Sequence, residues 1–322
     1  MAEEPGEKVL SVGVLGAGSH SRTYHGPALR ILRGRRPDLY ELSAVCDLDP
    51  ARAREYAQQF GFARSYGGLE EMLAGEHLDA LVAVTPMEQT LPIASRILRA
   101  RVPVLIEKPP GLNTDEARRL LAVAEETGTA HMVSFNRRFC PAVMRARRWL
   151  RQQEPSRPVR MIAARMFRHK RREDNFVAHT GIHLVDTVLS FLGAPRRVQA
   201  SRVDTGRAGS HLYEATLAFD SGAAATLLFA SAVGRQEETY DVLGEDFHVR
   251  IEALDGQVEI FDAGKPAVDW TAPPEEPPAA VNGTLAETQE FLECVAAGRA
   301  MHPDLKEAME SFTVAETIQH AT

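Results

Sequence analysis

A β-branched run, residues 9–15, leads into Gly16-Ala17-Gly18-Ser19-His20-Ser21. Two glycines one residue apart let a backbone turn tightly and approach an anionic group closely. If a helix follows, its first amides face that anion. Gly16, Ala17, Gly18, Ser19, His20 and Ser21 are therefore the residues able to cradle a pyrophosphate. Ser21 stands where the dinucleotide fingerprint prefers Gly or Ala. A glycine-rich turn with no ligand is the competing reading. Asp47 comes 29 residues after Gly18, at the end of the next apolar run. A carboxylate there can accept the hydroxyls of an adenosine ribose, which favours NAD over NADP. Arg52 and Arg54 follow closely enough to keep NADP open.

Further along stands Glu107-Lys108-Pro109-Pro110. Ligands of open parallel sheets bind beyond the carboxyl ends of the strands, so Lys108 is placed to bond a substrate hydroxyl. Its charge could stabilise an oxygen as negative charge develops on it. A surface turn would use the same residues. The third constellation is His179-Thr180-Gly181-Ile182-His183-Leu184-Val185-Asp186. On a helix, His179 and His183 share a face and Asp186 lies near it. Three readings stay open: a histidine general base, a zinc-like ligand set, or a pair of core histidines. The glutamate of a zincin motif is missing, and we expect no metal.

The elements that must position these residues alternate in the first half. Strand patterns at residues 9–15, 42–46, 80–84, 102–106 and 130–134 alternate with helix patterns at 19–32, 69–74, 88–100 and 114–127 and with one that starts at Pro50. Asp49 before Pro50 is a helix start, and Gly128 is a helix stop. This order predicts an α/β fold: a doubly wound parallel sheet covered on both faces. After a basic helix near 141–152, the pattern changes. A strand (159–168) and a helix (177–192) precede alternating runs at 198–203, 211–219, 223–230, 239–243, 247–253 and 258–261. Asp220-Ser221-Gly222 and Asp255-Gly256 are hairpin signals. A Pro-rich loop (271–280) and two helices (285–297 and 303–319) close the chain. The second half therefore predicts an α+β domain on a large, mainly antiparallel sheet.

At 322 residues, two domains are expected from the usual ~100–200 residues each. We place them at 1–136, binding NAD(P), and 137–322, binding substrate and pairing subunits. The last two helices can pack back on the first domain. Apolar residues make up 44% and charged residues 25%, which excludes disordered and fibrous classes. No apolar run approaches the ~20 residues of a membrane helix. Met1-Ala2-Glu3-Glu4-Pro5 has no apolar leader core. Three scattered cysteines without metal spacing suggest a reducing cytoplasm. The net charge of −7 hides a block: residues 137–172 hold 13 Lys or Arg against one acid, Glu154. Such a block suggests an anionic partner. One end, near Asn136-Arg137, follows the fifth strand and the other, at Arg168, leads into the histidine helix, so the block brackets the candidate site; an anionic small substrate is one reading and a solvated face the other. The aromatic interleaving of a nucleic-acid platform is missing.

Taken together, the chain resembles the glucose-fructose oxidoreductase / inositol 2-dehydrogenase / rhizopine-catabolism (Gfo/Idh/MocA) oxidoreductase family. The resemblance rests on Gly16-x-Gly18, His25-Gly26-Pro27-Ala28-Leu29, Val45-Cys46-Asp47, Thr85-Pro86, Glu107-Lys108-Pro109, Phe135-Asn136-Arg137-Arg138-Phe139 and Gly181-x-His183-x-x-Asp186. It implies a Rossmann domain holding NAD, with NADP as the alternative, and a C-terminal sheet that walls a carbohydrate-like substrate and pairs subunits as a homodimer or homotetramer. It implies that Lys108 polarises the reacting hydroxyl and that His183 takes its proton. Thr85, Pro86 and Glu107 would lie at the cofactor, and Asn136 and Arg137 near the substrate. Two positions depart from the family pattern. His179 stands where an aspartate is usual, four residues before His183, so it could relay a proton or bind substrate. Thr90 stands where a histidine is frequent. Three activities follow as expectations: a dehydrogenase of a sugar, sugar derivative or cyclitol; a redox-neutral enzyme with tightly bound NAD; or a silent dinucleotide sensor.

Overall fold

The computed structural model describes residues 9–322. The segment read above as lacking a leader core, Met1 to Pro5, lies outside the described residues. The chain divides into two compact units. The first comprises residues up to Ser134 together with Pro278–Ala280 and Thr284–Glu307, and the second comprises Phe135–Pro277, Val281–Gly283 and Ala308–Thr322.

The first unit is a six-stranded sheet in the order β3-β2-β1-β4-β5-β6. Its strands are β1 (Leu10–Leu15), β2 (Tyr40–Cys46), β3 (Arg64–Tyr66), β4 (Ala80–Ala83), β5 (Val104–Glu107) and β6 (His131–Ser134). Every pairing is parallel. The central strands are buried on both faces, which is why they read as continuous apolar runs rather than alternating ones. Helices α1 (Gly26–Arg35), α2 (Pro50–Phe60), α3 (Leu69–Gly75), α4 (Met87–Arg99) and α5 (Thr114–Thr127) link the strands. Asp49 caps α2 by accepting from the amides of Ala51 and Arg52. Asn113 does the same for α5 at Glu116.

The sequence reading missed β3, which is three residues long and partly exposed. It also treated 19–32 as one α-helix. The structure places a π-turn at Ser21–His25 before α1. Such turns accommodate one extra residue within a helix and recur at functional sites.

The second unit holds an eight-stranded sheet in the order β14-β13-β12-β11-β7-β10-β9-β8. Its strands are β7 (Met161–Phe167), β8 (Arg197–Arg207), β9 (Ser210–Ala218), β10 (Ala224–Ala230), β11 (Glu237–Gly244), β12 (Phe247–Glu252), β13 (Gln257–Asp262) and β14 (Lys265–Thr271). All pairs are antiparallel except β7 with β10. Along β12, Phe247, Val249 and Ile251 are buried and alternate with half-buried residues, the pattern of a sheet with one covered face. Two helices pack on that sheet, α6 (Pro141–Gln153) on β12 and β13, and α7 (Ile182–Leu192) on β7 and β10. The strand expected to end at 203 continues to Arg207 as an exposed edge. The polar, Pro-bearing β14 was not foreseen, because Pro within a strand is tolerated at an edge and weakens the sequence signal.

Short α8 (Pro278–Val281), then α9 (Thr284–Ala297) and α10 (Leu305–Gln319), complete the chain. Helix α9 packs on α1 and the π-turn. No helix among the described residues is long and apolar enough to cross a membrane.

Candidate functional site

In the first unit, the sequence-predicted residues gather at the carboxyl ends of the parallel strands. Gly16 follows β1, Asp47 follows β2, Thr85 and Pro86 follow β4, and Lys108 follows β5. Sheet order reverses between β1 and β4, and ligands of such sheets bind at that switch point. Gly16 has φ +98°, and a Cβ on it would stand 1.9 Å from the carbonyl oxygen of Val84. Only glycine lets the loop leave β1 this close to β4. A Cβ at Gly18 would meet nothing within 4 Å, so the loop has open space on that side. That space suits close approach of a pyrophosphate to the backbone, and the donor set fits a dinucleotide.

Asp47 serves the loop as well as any ligand. Its Oδ2 accepts from the Ala17 amide at 2.9 Å, and its Oδ1 accepts from the Asp49 amide at 2.9 Å. Arg52 lies 3.4 Å from the same Oδ1. Ser21 is fully buried, and its hydroxyl shares a 2.8 Å hydrogen bond with Tyr56. Burial pushes the Tyr56 phenol above its usual range. The serine that looked like an imperfect fingerprint residue is thus a buried strut under the loop. Sequence reasoning gave Tyr56 no role.

Glu107 closes β5 beneath two histidines. His25 Nε2 is 2.8 Å and His20 Nε2 is 3.2 Å from the same carboxylate oxygen, Oε1. Burial opposes the charge on Glu107, but hydrogen bonds from His20 and His25 hold its carboxyl well below the ordinary range. His25 had no assigned role in the sequence reading. On the neighbouring helix α4, Thr90 is buried.

The second unit holds the histidines. His183 is the second residue of α7, and its ring meets Phe135 edge-on at 6.2 Å. Its carbonyl accepts from Thr187 Oγ1 at 2.8 Å. His179 lies in a second π-turn, Val177–Gly181, so the regular α-helix assumed for 177–192 starts only at Ile182. Asp186 does not join the histidines as a ligand set. Its carboxylate receives Arg138 through Nε at 2.8 Å and Nη2 at 2.7 Å, and Ser311 Oγ at 2.9 Å. Among the described residues, one cluster alone has metal-compatible spacing, and it is His20, His25 and Glu107.

The cations expected at the substrate have an acid of their own. Arg137 donates through Nε to Glu238 Oε1 at 2.8 Å, and Arg168 donates through Nη2 to Glu238 Oε2 at 2.5 Å. Asn136 donates to the Asn282 carbonyl at 2.9 Å. Glu238 is fully buried. Burial works against its charge, yet Arg137 and Arg168, with a smaller contribution from His183, draw its pKa down to about 2. Tyr240 also donates to Glu238. Sequence reasoning missed Glu238. Its only signal was a pair of acids, Glu237-Glu238, opening an otherwise β-type run.

Comparison with known proteins fits both units. Residues 10–135 match the model of the oxidoreductase family with an NAD-binding Rossmann fold, and residues 168–322 match that family's C-terminal alpha/beta domain. The chain is 26% identical to D-apiose dehydrogenase of Paraburkholderia graminis, over 94% of this chain and 85% of that one. It is 25% identical to UDP-N-acetylglucosamine 3-dehydrogenase of Acidithiobacillus ferrooxidans, over 92% of this chain and 91% of that one. A dehydrogenase structure from Chromobacterium violaceum shares the fold, with a TM-score of 0.85 at 22% identity over 96% of this chain and 94% of that one. With a glycine-rich loop at the switch point of one unit and a mixed, mainly antiparallel sheet in the other, the chain belongs to the Gfo/Idh/MocA family of NAD(P)-dependent oxidoreductases.

Proposed function

We propose that this protein is an NAD-dependent dehydrogenase of a secondary hydroxyl on a sugar, sugar derivative or cyclitol. The observation that carries the reading is the convergence of Gly16, Asp47, Thr85 and Lys108 at the carboxyl ends of four adjacent parallel strands. Residues 1–136 would hold the cofactor, and 137–322 would recognise substrate and pair subunits. Bound NAD supplies the hydride acceptor. The amides of Gly16 and Ala17 are taken by the Cys46 carbonyl and Asp47, so those of Gly18, Ser19 and His20 bind its pyrophosphate, and Asp47, already fixed by the Ala17 amide, presents its carboxylate to the ribose. The Lys108 ammonium polarises the substrate oxygen and stabilises its developing charge. His183 takes the hydroxyl proton as general base. His179 serves as a relay or a substrate contact. The substrate class is supported by the relatives, which are named for D-apiose and UDP-N-acetylglucosamine.

The test is NADH formation with pentoses, hexoses, cyclitols, sugar acids and nucleotide sugars. On the best substrate, Lys108→Ala and His183→Asn should each lower kcat/KM by about 100-fold or more while NADH binding persists. Wild-type rates in both variants, or failure of the wild type to bind NAD(H), would overturn the reading.

A further inference from the structure

His20 and His25 are five residues apart, which on an α-helix would place them about 140° around the axis from each other. The π-turn Ser21–His25 changes that. Its hydrogen bonds close at i→i+5, so residues five apart come round to the same side. The two imidazoles accordingly stand 5.7 Å apart, centroid to centroid, and both address Glu107. Each of the three residues offers one ligand atom, and these atoms all lie within 4.8 Å of one another.

We propose that His20, His25 and Glu107 form a binding site for a zinc-type divalent cation. The donor set is two imidazoles and one carboxylate, which suits borderline cations such as zinc. Zinc holds such ligands at about 2.0–2.2 Å, so ligand atoms around a tetrahedral ion stand about 3.3–3.5 Å apart. The Nε2-to-Oε1 separations are 2.8 and 3.2 Å, so to admit an ion these two separations widen by about 0.1–0.7 Å. The buried Glu107 carboxylate, shared by the two imidazoles, supplies the negative charge that a buried cation requires. Access comes from the His20 side, whose side chain is 52% exposed while that of His25 is 1%. That face leaves the fourth coordination position open to water.

The site is weak rather than structural. A metal on Nε2 drives the ring proton to Nδ1, and His25 Nδ1 is buried with no hydrogen-bond partner among the described residues. Lack of such an outer partner typically lowers metal affinity by about 10–100-fold. Because His20 belongs to the dinucleotide loop, the ion would tie that loop to the end of β5.

The experiment titrates the full-length protein, free of nicotinamide and substrate, with Zn²⁺ by calorimetry. A parallel titration with Co²⁺ reads its ligand-field absorption. One ion per chain is expected, with a tetrahedral Co²⁺ spectrum. His20→Ala should lose at least about tenfold in affinity, and Glu107→Gln should lose as much. His20 is exposed, so its variant keeps the fold, which circular dichroism verifies even if the Glu107 variant unfolds. Absence of Zn²⁺ binding in the wild type, or binding unchanged in a folded His20→Ala variant, would overturn the proposal. Neither readout depends on the dehydrogenase reading.

Discussion

Replacing Glu238 by glutamine should cost the second unit about 3 kcal/mol at neutral pH. The carboxylate is fully buried, and its two arginine partners, Arg137 and Arg168, are 12% and 8% exposed at the side chain. Its pKa falls from 4.5 to about 2 in the fold. At 1.36 kcal/mol for each pH unit, that drop corresponds to about 3 kcal/mol. Breaking a buried ion pair by removing one partner typically costs about 3–5 kcal/mol, a range the first figure reaches. The sign is set by depression of a carboxyl. The contribution is complete above the unfolded pKa of 4.5 and disappears as pH falls through the folded value of about 2.

Denaturant unfolding of wild type and Glu238→Gln, measured at neutral pH and at about pH 3, reads both predictions. The difference between the two proteins should be about 3 kcal/mol at neutral pH and less than half of that at about pH 3. A neutral-pH difference below about 1 kcal/mol, or one that does not change with pH, would refute the argument. It would mean that the two guanidiniums find other acceptors without loss.

Gly16→Ala should destabilise the first unit by about 2 kcal/mol or more, since a side chain at φ +98° is strained and its Cβ would collide with the Val84 carbonyl oxygen. A melting temperature equal to wild type would contradict this. Asp47→Ser removes the carboxylate whose two oxygens accept from the Ala17 and Asp49 amides. NAD affinity should fall by about tenfold or more, with relative preference moving towards NADP, as fluorescence titration with both reduced cofactors would show. Unchanged NADH binding would remove Asp47 from the cofactor site.

Much of this was legible in the sequence. The runs at 80–84, 102–106 and 130–134 announced buried parallel strands because such strands are apolar on both faces. Asp49-Pro50 announced a helix start through capping chemistry that acts locally. What stayed hidden depended on long-range pairing. β3 exists because β2 offers it an edge, not because Arg64-Ser65-Tyr66 prefers to be extended. Both π-turns were invisible, since one extra residue in a helix leaves the hydrophobic rhythm nearly intact. That omission mattered most at His20 and His25, whose meeting on one carboxylate follows from the turn. Asp186 also takes its place from a long-range contact. Its spacing from His183 is helical, but the deciding contact is Arg138, 48 residues earlier in the chain.

The basic block shows how topology redistributes charge. Its cations have few acids nearby in sequence, yet Arg137 and Arg168 meet Glu238, Arg138 meets Asp186, Arg157 meets Asp262, and Arg165 meets Glu237. The cause is strand order. β7 lies antiparallel to β11, with Phe167 opposite Glu237 and Met166 opposite Glu238, so the end of the basic segment is laid against the acids that open β11. An anionic substrate reaching for Arg137 or Arg168 must therefore compete with a buried carboxylate that already holds both. The expected consequence is that anionic sugars gain no more than about tenfold in kcat/KM over neutral isosteres, since about 1.4 kcal/mol is all that a shared guanidinium would contribute. A preference of several hundredfold for the anion, lost in Arg137→Ala, would show instead that Glu238 releases an arginine when substrate binds.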